Sequence, residues 1–549
     1  MTSSKAKNEI PSHSVLRGTS IVGSITMLSR VLGFLRDLLM ARILGAGLFS
    51  DAFFVAFRIP NILRSFVAEG ALTSAFVPVF TDELNRGQSN ARSTLQATCG
   101  LLLAVTLLLS GLGILFAPEL VSLFAPGFKE NIDKFEACRT LLQIMMPYIM
   151  FVSLVAMLNG ALNSVHIFGA AAFAQVAMNL VMIAGIFLAS FYDQDDRVYY
   201  IAWSVLVGGI AQILVQLPAL NRSHFSLRPV LSFITPATKK ILTLMIPAIL
   251  GAAVYQVSLF IQTVFASLLQ EGSVSWLFYA DRLAQLPIGV FTVALSSVLL
   301  PTLSRAASSG DRDSFSEHLM NALRYTSFLL IPLAFGLYFL AEPLISLVFE
   351  HGAFHGHSSR MTAFALQALS LGVWGISCQM IFARAFIARK DTLTPALMGV
   401  LTLIVGVATS LLLMGPPTSS ADSHFGVLVL RSQHFLALFL PLMEWKHVGL
   451  ALSSAVASWF AVCCYLILLS REKISFRPFL HSSLKALMAS SLMGASLFYS
   501  LPLLSSPLLQ VVIGVPLGAV IYGLASLLLQ STEITEGKNL LSQKLRKLS

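Results

Sequence analysis

The chain has 549 residues, of which 56% are hydrophobic and 11% charged, whereas an ordinary soluble domain carries about 25% charged residues. A mean hydropathy of +0.79 spread over the whole length means that apolar runs of about 20 residues recur from end to end, so lipid is the solvent. The balance of 36 Lys+Arg against 26 Asp+Glu gives a net charge of +10, but these cations gather in short loops on one side and form no basic stripe with interleaved aromatics, which excludes nucleic acid as a partner.

Cys99, Cys138, Cys378, Cys463 and Cys464 fall in or beside apolar segments without metal-ligand spacing and read as small hydrophobes. The first apolar segment follows Arg17 and runs on through Arg30 and Arg36 with no short apolar core and cleavage site, so it is expected to remain as the first helix.

Apolar runs between polar breaks predict helices near 20–48, 50–81, 93–118, 138–162, 168–191 and 199–219. A second set follows near 241–269, 275–304, 322–349, 361–388, 394–414 and 448–470, and a last pair near 482–503 and 507–530. The expected class is an all-α integral membrane protein of about 14 transmembrane helices, with two six-helix halves in parallel relation plus two C-terminal helices. The corresponding domains are an N-terminal segment 1–19, a first lobe 20–222, a second lobe 237–470, an appended pair 481–531 and a tail 532–549.

Lys239, Lys240, Arg384, Arg389, Lys390, Arg471, Lys473 and Arg477 all fall on the side of the N-terminus, which the positive-inside bias makes cytoplasmic. The even helix count returns Lys544, Arg546 and Lys547 to that same side. The stretch from Gly415 to Trp445 carries prolines, serines and two apolar runs, Phe425–Leu430 and Phe435–Leu442, each too short to span. It is expected as an external insertion, 415–447, lying partly at the membrane interface.

The two halves repeat. Phe54-Val55-Ala56-Phe57-Arg58 resembles Phe278-Tyr279-Ala280-Asp281-Arg282 at an offset of 224, and Phe76-Val77-Pro78 resembles Leu299-Leu300-Pro301 at 223. Six helices per repeat is an even number, so the halves share an orientation, as in transporters whose site lies at the repeat interface.

Charges inside apolar helices carry the chemical signal. Arg30, Arg36, Asp37, Asp51, Arg58, Arg64 and Glu69 lie in or at the ends of the first helices, and Asp281 and Arg282 repeat the pattern. Each charge near a helix centre costs about 2.5–3.5 kcal/mol on insertion scales, so most must face water or one another rather than lipid. Arg30 and Asp37 are seven residues apart and share a face with Gly33, while Gln285 follows Asp281 by four and Arg282 by three and can join them in a polar cluster. Five cations (Arg30, Arg36, Arg58, Arg64, Arg282) against four acids (Asp37, Asp51, Glu69, Asp281) leave a net positive set of planar guanidinium forks, suited to phosphate or diphosphate. Some of these arginines, Arg42 and Arg58 above all, can equally serve as helix-end caps or ion-pair ties.

Other chemistry is absent from the pattern. His351, His355 and His357 read as a solvated loop, and Asp193, Asp195 and Asp196 as a solvated turn. Gly537-Lys538 precedes asparagine and lacks the upstream glycine of a phosphate-binding loop, and no His-Glu-x-x-His or nucleophile elbow occurs. The chain reads as a mover of substrate with no enzymatic step and no cofactor; Na+, H+ or the membrane potential is left open as a driving force.

At Ser29-Arg30-Val31-Leu32-Gly33-Phe34-Leu35-Arg36-Asp37, Gly45-Ala46-Gly47 and Asp51-Ala52-Phe53-Phe54-Val55-Ala56-Phe57-Arg58-Ile59-Pro60-Asn61 the sequence resembles the MurJ (MviN) family. The likeness continues through Ala68-Glu69-Gly70-Ala71, Ala125-Pro126-Gly127-Phe128, Gly272-Ser273-Val274-Ser275-Trp276 and Tyr279-Ala280-Asp281-Arg282-Leu283. The resemblance implies the multidrug/oligosaccharidyl-lipid/polysaccharide exporter fold and export of lipid II, the undecaprenyl-diphosphate-linked peptidoglycan precursor, across the bacterial inner membrane by alternating access. It implies Arg30, Arg36, Arg64 and Arg282 for the diphosphate cavity and Asp51 as a gate residue that switches partner with one of them, while the charge pattern adds Asp281, Glu69 and Gln285 as gate or charge partners, Gln285 standing where relatives often carry an acid. It also casts the last two helices as a groove for the lipid tail, with membrane lipids and cell-wall synthesis or division proteins as further partners. An exporter of another polyprenyl-linked oligosaccharide, a cation-coupled multidrug exporter and a membrane scaffold remain as alternatives.

Overall fold

The structure, a computed structural model, describes residues 12–67, 71–230, 232–418, 423–438, 440–471 and 474–536. Among these no strand occurs, as expected where lipid leaves every backbone group to be satisfied within its own helix. The first helices are α1 (Ser12–Leu44), α2 (Leu48–Val67), α3 (Ala71–Arg86), α4 (Gln88–Leu115), α5 (Ala117–Phe124), α6 (Ile132–Met145), α7 (Tyr148–Ser164), α8 (Phe168–Ala189) and α9 (Arg197–Arg222). They are followed by α10 (Pro236–Ser267), α11 (Ser273–Pro287), α12 (Val293–Ser309), α13 (Arg312–Phe339), α14 (Ala341–Phe349), α15 (Gly356–Ala388), α16 (Leu393–Leu413), α17 (His424–Ala437), α18 (Lys446–Ser470), α19 (Arg477–Ser500) and α20 (Pro507–Leu528).

The internal repeat is visible in where helices begin. α4 and α13 start at 88 and 312, α5 and α14 at 117 and 341, and α6 and α15 at 132 and 356, each pair 224 apart. Local chemistry sets several of these starts: the Asn131 side chain accepts from the Lys134 amide at α6, and Asp311 accepts from the Ser314 amide at α13. Prolines set the irregularities. Pro287 is followed by a single π-helical turn over Ile288–Thr292 before α12 resumes, because proline removes a donor from the ladder.

Eleven helical segments among the described residues are long and apolar enough to cross a membrane. They coincide with eleven of the fourteen expected spans, and the count of fourteen is not reached by that measure. The other three are α1, α2–α3 and α10. In α2 the reason is physical, since Asp51, Arg58 and Arg64 interrupt the apolar run of its 20 residues. The expected single helix over 322–349 is two, broken at Leu340.

The insertion needs a correction too. Its two apolar runs are joined by α17, because Phe425, Leu428, Val429, Ser432, Phe435 and Leu436 recur at helical spacing and the Ser423 hydroxyl accepts from the Gly426 amide to start the helix.

The chain divides into two compact units. One holds the described residues up to Leu44 with Ala52–Phe124 and Asn131–Gln256; the other holds Gly45–Asp51, Ala125–Glu130 and the chain from Val257 on. The boundary thus falls within α10, and two short connectors of the first half pack with the second unit. In the first unit Phe76, Phe80, Leu95, Leu158 and Phe225 are buried in one core, with the Phe76 and Phe80 rings stacked at 5.1 Å. In the second unit α19 and α20 pack on α13 and α14 through Leu340, Met493, Leu497 and Tyr522.

Candidate functional site

In the first unit, α1 brings its charges to α8. Asp37 is only 3% exposed, and a lone carboxylate there would forfeit several kcal/mol of hydration. Its neighbour Arg36 compensates: Nε and Nη2 donate to Asp37 Oδ1 at 3.0 and 2.7 Å. Arg36 Nη1 donates to Asn179 Oδ1 at 3.1 Å, and Asn179 Nδ2 donates to the Ser29 carbonyl at 3.0 Å. The result is a polar chain, Ser29–Asn179–Arg36–Asp37, locked across two apolar helices. Gly33 lies beside it, where a Cβ would make ordinary van der Waals contact with the Asn179 amide at 3.6 Å. Asn179 was not singled out by sequence reasoning, although an asparagine amid Met178, Leu180 and Val181 is itself a signal.

Arg30 is exposed on α1, and Arg58 and Arg64 are half-buried on α2. Glu69 lies outside the described residues.

In the second unit the structure places Asp51, which is 1% exposed, at the N-terminus of α11. Its carboxylate accepts from the Gly272 amide at 2.8 Å, the Ser275 amide at 2.9 Å and the Ser275 hydroxyl at 2.6 Å. An anion at the positive end of a helix is favoured by both the unsatisfied amides and the dipole. These donors make the Asp51 carboxylate a cap of α11.

The arrangement is reciprocal. Glu271, just before α11, accepts from the Leu48 amide at the start of α2 at 3.0 Å, and Ser50 and Ser275, 225 positions apart in the repeat, share a hydroxyl hydrogen bond of 2.9 Å. Gly272 is required twice over. Its φ is +90°, and a Cβ would stand 2.6 Å from the Trp276 ring.

Further along α11, Gln285 donates to Asp281, and the Arg282 guanidinium lies 4.5 Å above the Phe278 ring. The expected cluster therefore forms between Asp281 and Gln285, while Arg282 stacks one turn back. Trp276 packs against His447, their ring centroids 4.8 Å apart, and His447 is buried with Nε2 2.9 Å from the Met361 carbonyl. Sequence reasoning passed over Glu271 and His447, whose partners lie 223 and 86 positions away in the chain.

These elements are shared with known proteins. The family model described as "MurJ: Lipid II flippase MurJ" matches residues 40–421, well over half of the chain. The chain belongs to the lipid II flippase MurJ family. "Lipid II flippase MurJ" of Burkholderia cenocepacia is 40% identical over 397 residues, covering 71% of this chain and 77% of the relative. "Probable lipid II flippase MurJ" of Haemophilus influenzae is 33% identical over 497 residues, covering 87% and 91%. Among solved structures, "Lipid II flippase MurJ, inward closed conformation" superposes with a TM-score of 0.75 at 26% identity over 93% of this chain and 99% of that one. A multidrug resistance MATE family transporter of the MOP superfamily gives 0.63 at 14% identity, 82% of this chain and 98% of that one, a likeness of fold. The protein is a multi-pass membrane protein of this transporter fold. Asp51, Arg64 and Arg282 fall inside the family match, whereas Arg30 and Arg36 precede it and α17 follows it.

Proposed function

We propose that the chain is a flippase that carries lipid II from the cytoplasmic to the outer leaflet of the bacterial inner membrane, with both termini cytoplasmic, to supply cell-wall synthesis. The observation that carries this reading is the family match over 40–421, which contains both Asp51 with its α11 cap and the arginine-bearing helices α2 and α11.

The substrate's head bears a diphosphate, for which planar guanidinium groups are the matched partners. Arg30, Arg36 and Arg64 in one unit and Arg282 in the other are assigned to engage it during the cycle. Asp281, Gln285 and Glu69 are assigned as charge partners that tune those arginines. Asp51 is assigned as a gate residue, because its three hydrogen bonds to α11 form one compact element that substrate movement can make or break. Alternating access needs no bond-making step, and Na+, H+ or the membrane potential is assigned as the driving force.

The test is reconstitution of the purified protein in vesicles holding lipid II labelled on its head group. Transfer to the opposite leaflet that collapses when ionophores dissipate the applied gradient supports the reading. Transfer of a cationic dye, with lipid II left in place, overturns it in favour of a multidrug exporter.

A further inference from the structure

The second unit carries a groove of about 610 Å3 between α10, α16 and α17 that the flipping reading does not use. Ile261 of α10, Leu403, Ile404 and Val407 of α16 and Phe435 of α17 line it, and Arg431 of α17 is the only charged residue among its described lining. We propose that this groove binds an anionic phospholipid, with an acyl chain along α16 and the headgroup phosphate on Arg431.

The placement of α17 carries the argument. With 14 residues it is about 21 Å long, too short to span a bilayer. It is fixed where α16 ends: Gln433 Nε2 donates to the Leu411 carbonyl at 3.0 Å and the Gly415 carbonyl at 2.7 Å, satisfying acceptors that the end of a helix leaves open. The start of the insertion is tied where α10 ends, the Thr418 amide donating to the Leu268 carbonyl at 2.9 Å. Ends of spanning helices lie at the level of lipid headgroups, so α17 is an interfacial helix. Its outer apolar side chains fit that depth, with Leu428 59% and Phe435 62% exposed.

The floor of the groove faces lipid. α16 is the least buried of the spanning segments, and Ile404 is 57% exposed. Leu403, Ile404, Val407 and Leu411 follow one another at helical spacing and make a continuous aliphatic track. An acyl chain in that track puts its glycerophosphate at the interface, beside Arg431. A single guanidinium complements the single charge of a phosphodiester, whereas a diphosphate calls for several. That difference favours a phospholipid over lipid II as the occupant. The floor of the groove, from α10 and α16, lies inside the segment matched by the family, whereas the α17 wall that carries Arg431 follows it.

The measurement is native mass spectrometry of the full-length protein after delipidation, titrated in parallel with phosphatidylglycerol and phosphatidylcholine. One basic side chain at the interface predicts about a fivefold preference for phosphatidylglycerol. Arg431→Gln is expected to bring the two lipids level, and Ile404→Trp, which fills the track, to lower both. Arg431 is exposed, so the first variant leaves the fold intact, and its elution as a monodisperse species checks that. Equal binding of the two lipids to wild type, or an unchanged preference in Arg431→Gln, overturns the proposal. So does displacement of phosphatidylglycerol by equimolar lipid II, or a photo-crosslinker at position 404 that captures a protein helix in place of lipid.

Discussion

A carboxylate buried within an apolar helix survives only with its counter-charge in place. Asp37 and Arg36 are 4% and 16% exposed at the side chain, so removing one member strands the other in a medium that solvates it poorly. Asp37→Ala is expected to lower stability by about 3–5 kcal/mol, seen as a lower midpoint in detergent thermal unfolding, while Asp37→Asn, which keeps an acceptor for the guanidinium, loses less. At Gly272 the constraint is steric. A side chain at φ +90° is strained and meets the Trp276 ring. Gly272→Ala is therefore expected to cost at least about 1–2 kcal/mol from the backbone alone, and Trp276→Phe in the same chain recovers only the part that comes from the collision. Equal midpoints for Gly272→Ala and wild type would remove Gly272 from the account. The Gly272-to-Trp276 motif is legible in the sequence, but its reason is not, because the partners of Gly272 and Ser275 sit on Asp51, over 220 positions earlier.

Helices are held to one another at a few polar points, and these are where elements can be uncoupled. Arg324 of α13 donates through Nε to Glu533 at 2.9 Å and lies 3.3 Å from Glu536, while Ser482 of α19 donates to Glu533 at 2.8 Å. This network ties α13, α19 and the helical residues 532–536 after α20 together, with Glu533 only 2% exposed at the side chain. Arg324→Ala is expected to free the terminal pair, so that limited proteolysis cuts between α18 and α19 well before the rest of the chain; an unchanged digestion pattern contradicts this. At the start of α16, Asp391 accepts from the Thr394 hydroxyl at 2.6 Å and the Thr394 amide at 3.0 Å, and these bonds hold its carboxyl below the usual carboxylate range. A depressed folded value means that the cap stabilises above the ordinary carboxylate pKa and is lost as pH falls through the lowered one. Asp391→Ala should therefore unfold about 1 kcal/mol more easily than wild type near neutrality, and the two should converge in strong acid. Sequence reasoning had divided the insertion into two apolar runs, because Arg431 to His434 interrupt the hydropathy; helical spacing across that polar gap makes them one face of α17.

Over the whole molecule, the repeat was the most legible feature. The motif offsets of 223 and 224 are matched by the helix starts, which fall 222 to 225 apart from α2 and α11 through α8 and α16. Hydropathy marks the eleven apolar spans and undervalues α2, where charge replaces apolarity. That conflict between local rule and fold is where function is expected to reside. Arg36 and Asp51 were legible as intramembrane charges, while Asn179 and Glu271, which complete their surroundings, depend on pairings at separations of 143 and 223 residues that no local pattern encodes. The central claim, that intramembrane arginines serve the movement of lipid II, is met most directly by leaflet-resolved accessibility of lipid II in cells where this protein replaces the host flippase. Wild type is predicted to restore lipid II to the outer leaflet and Arg282→Ala, expressed and inserted at the same level, to trap it inside. Wild type that is inserted and leaves lipid II on the inner leaflet, or Arg282→Ala that exports it as wild type does, would contradict the account.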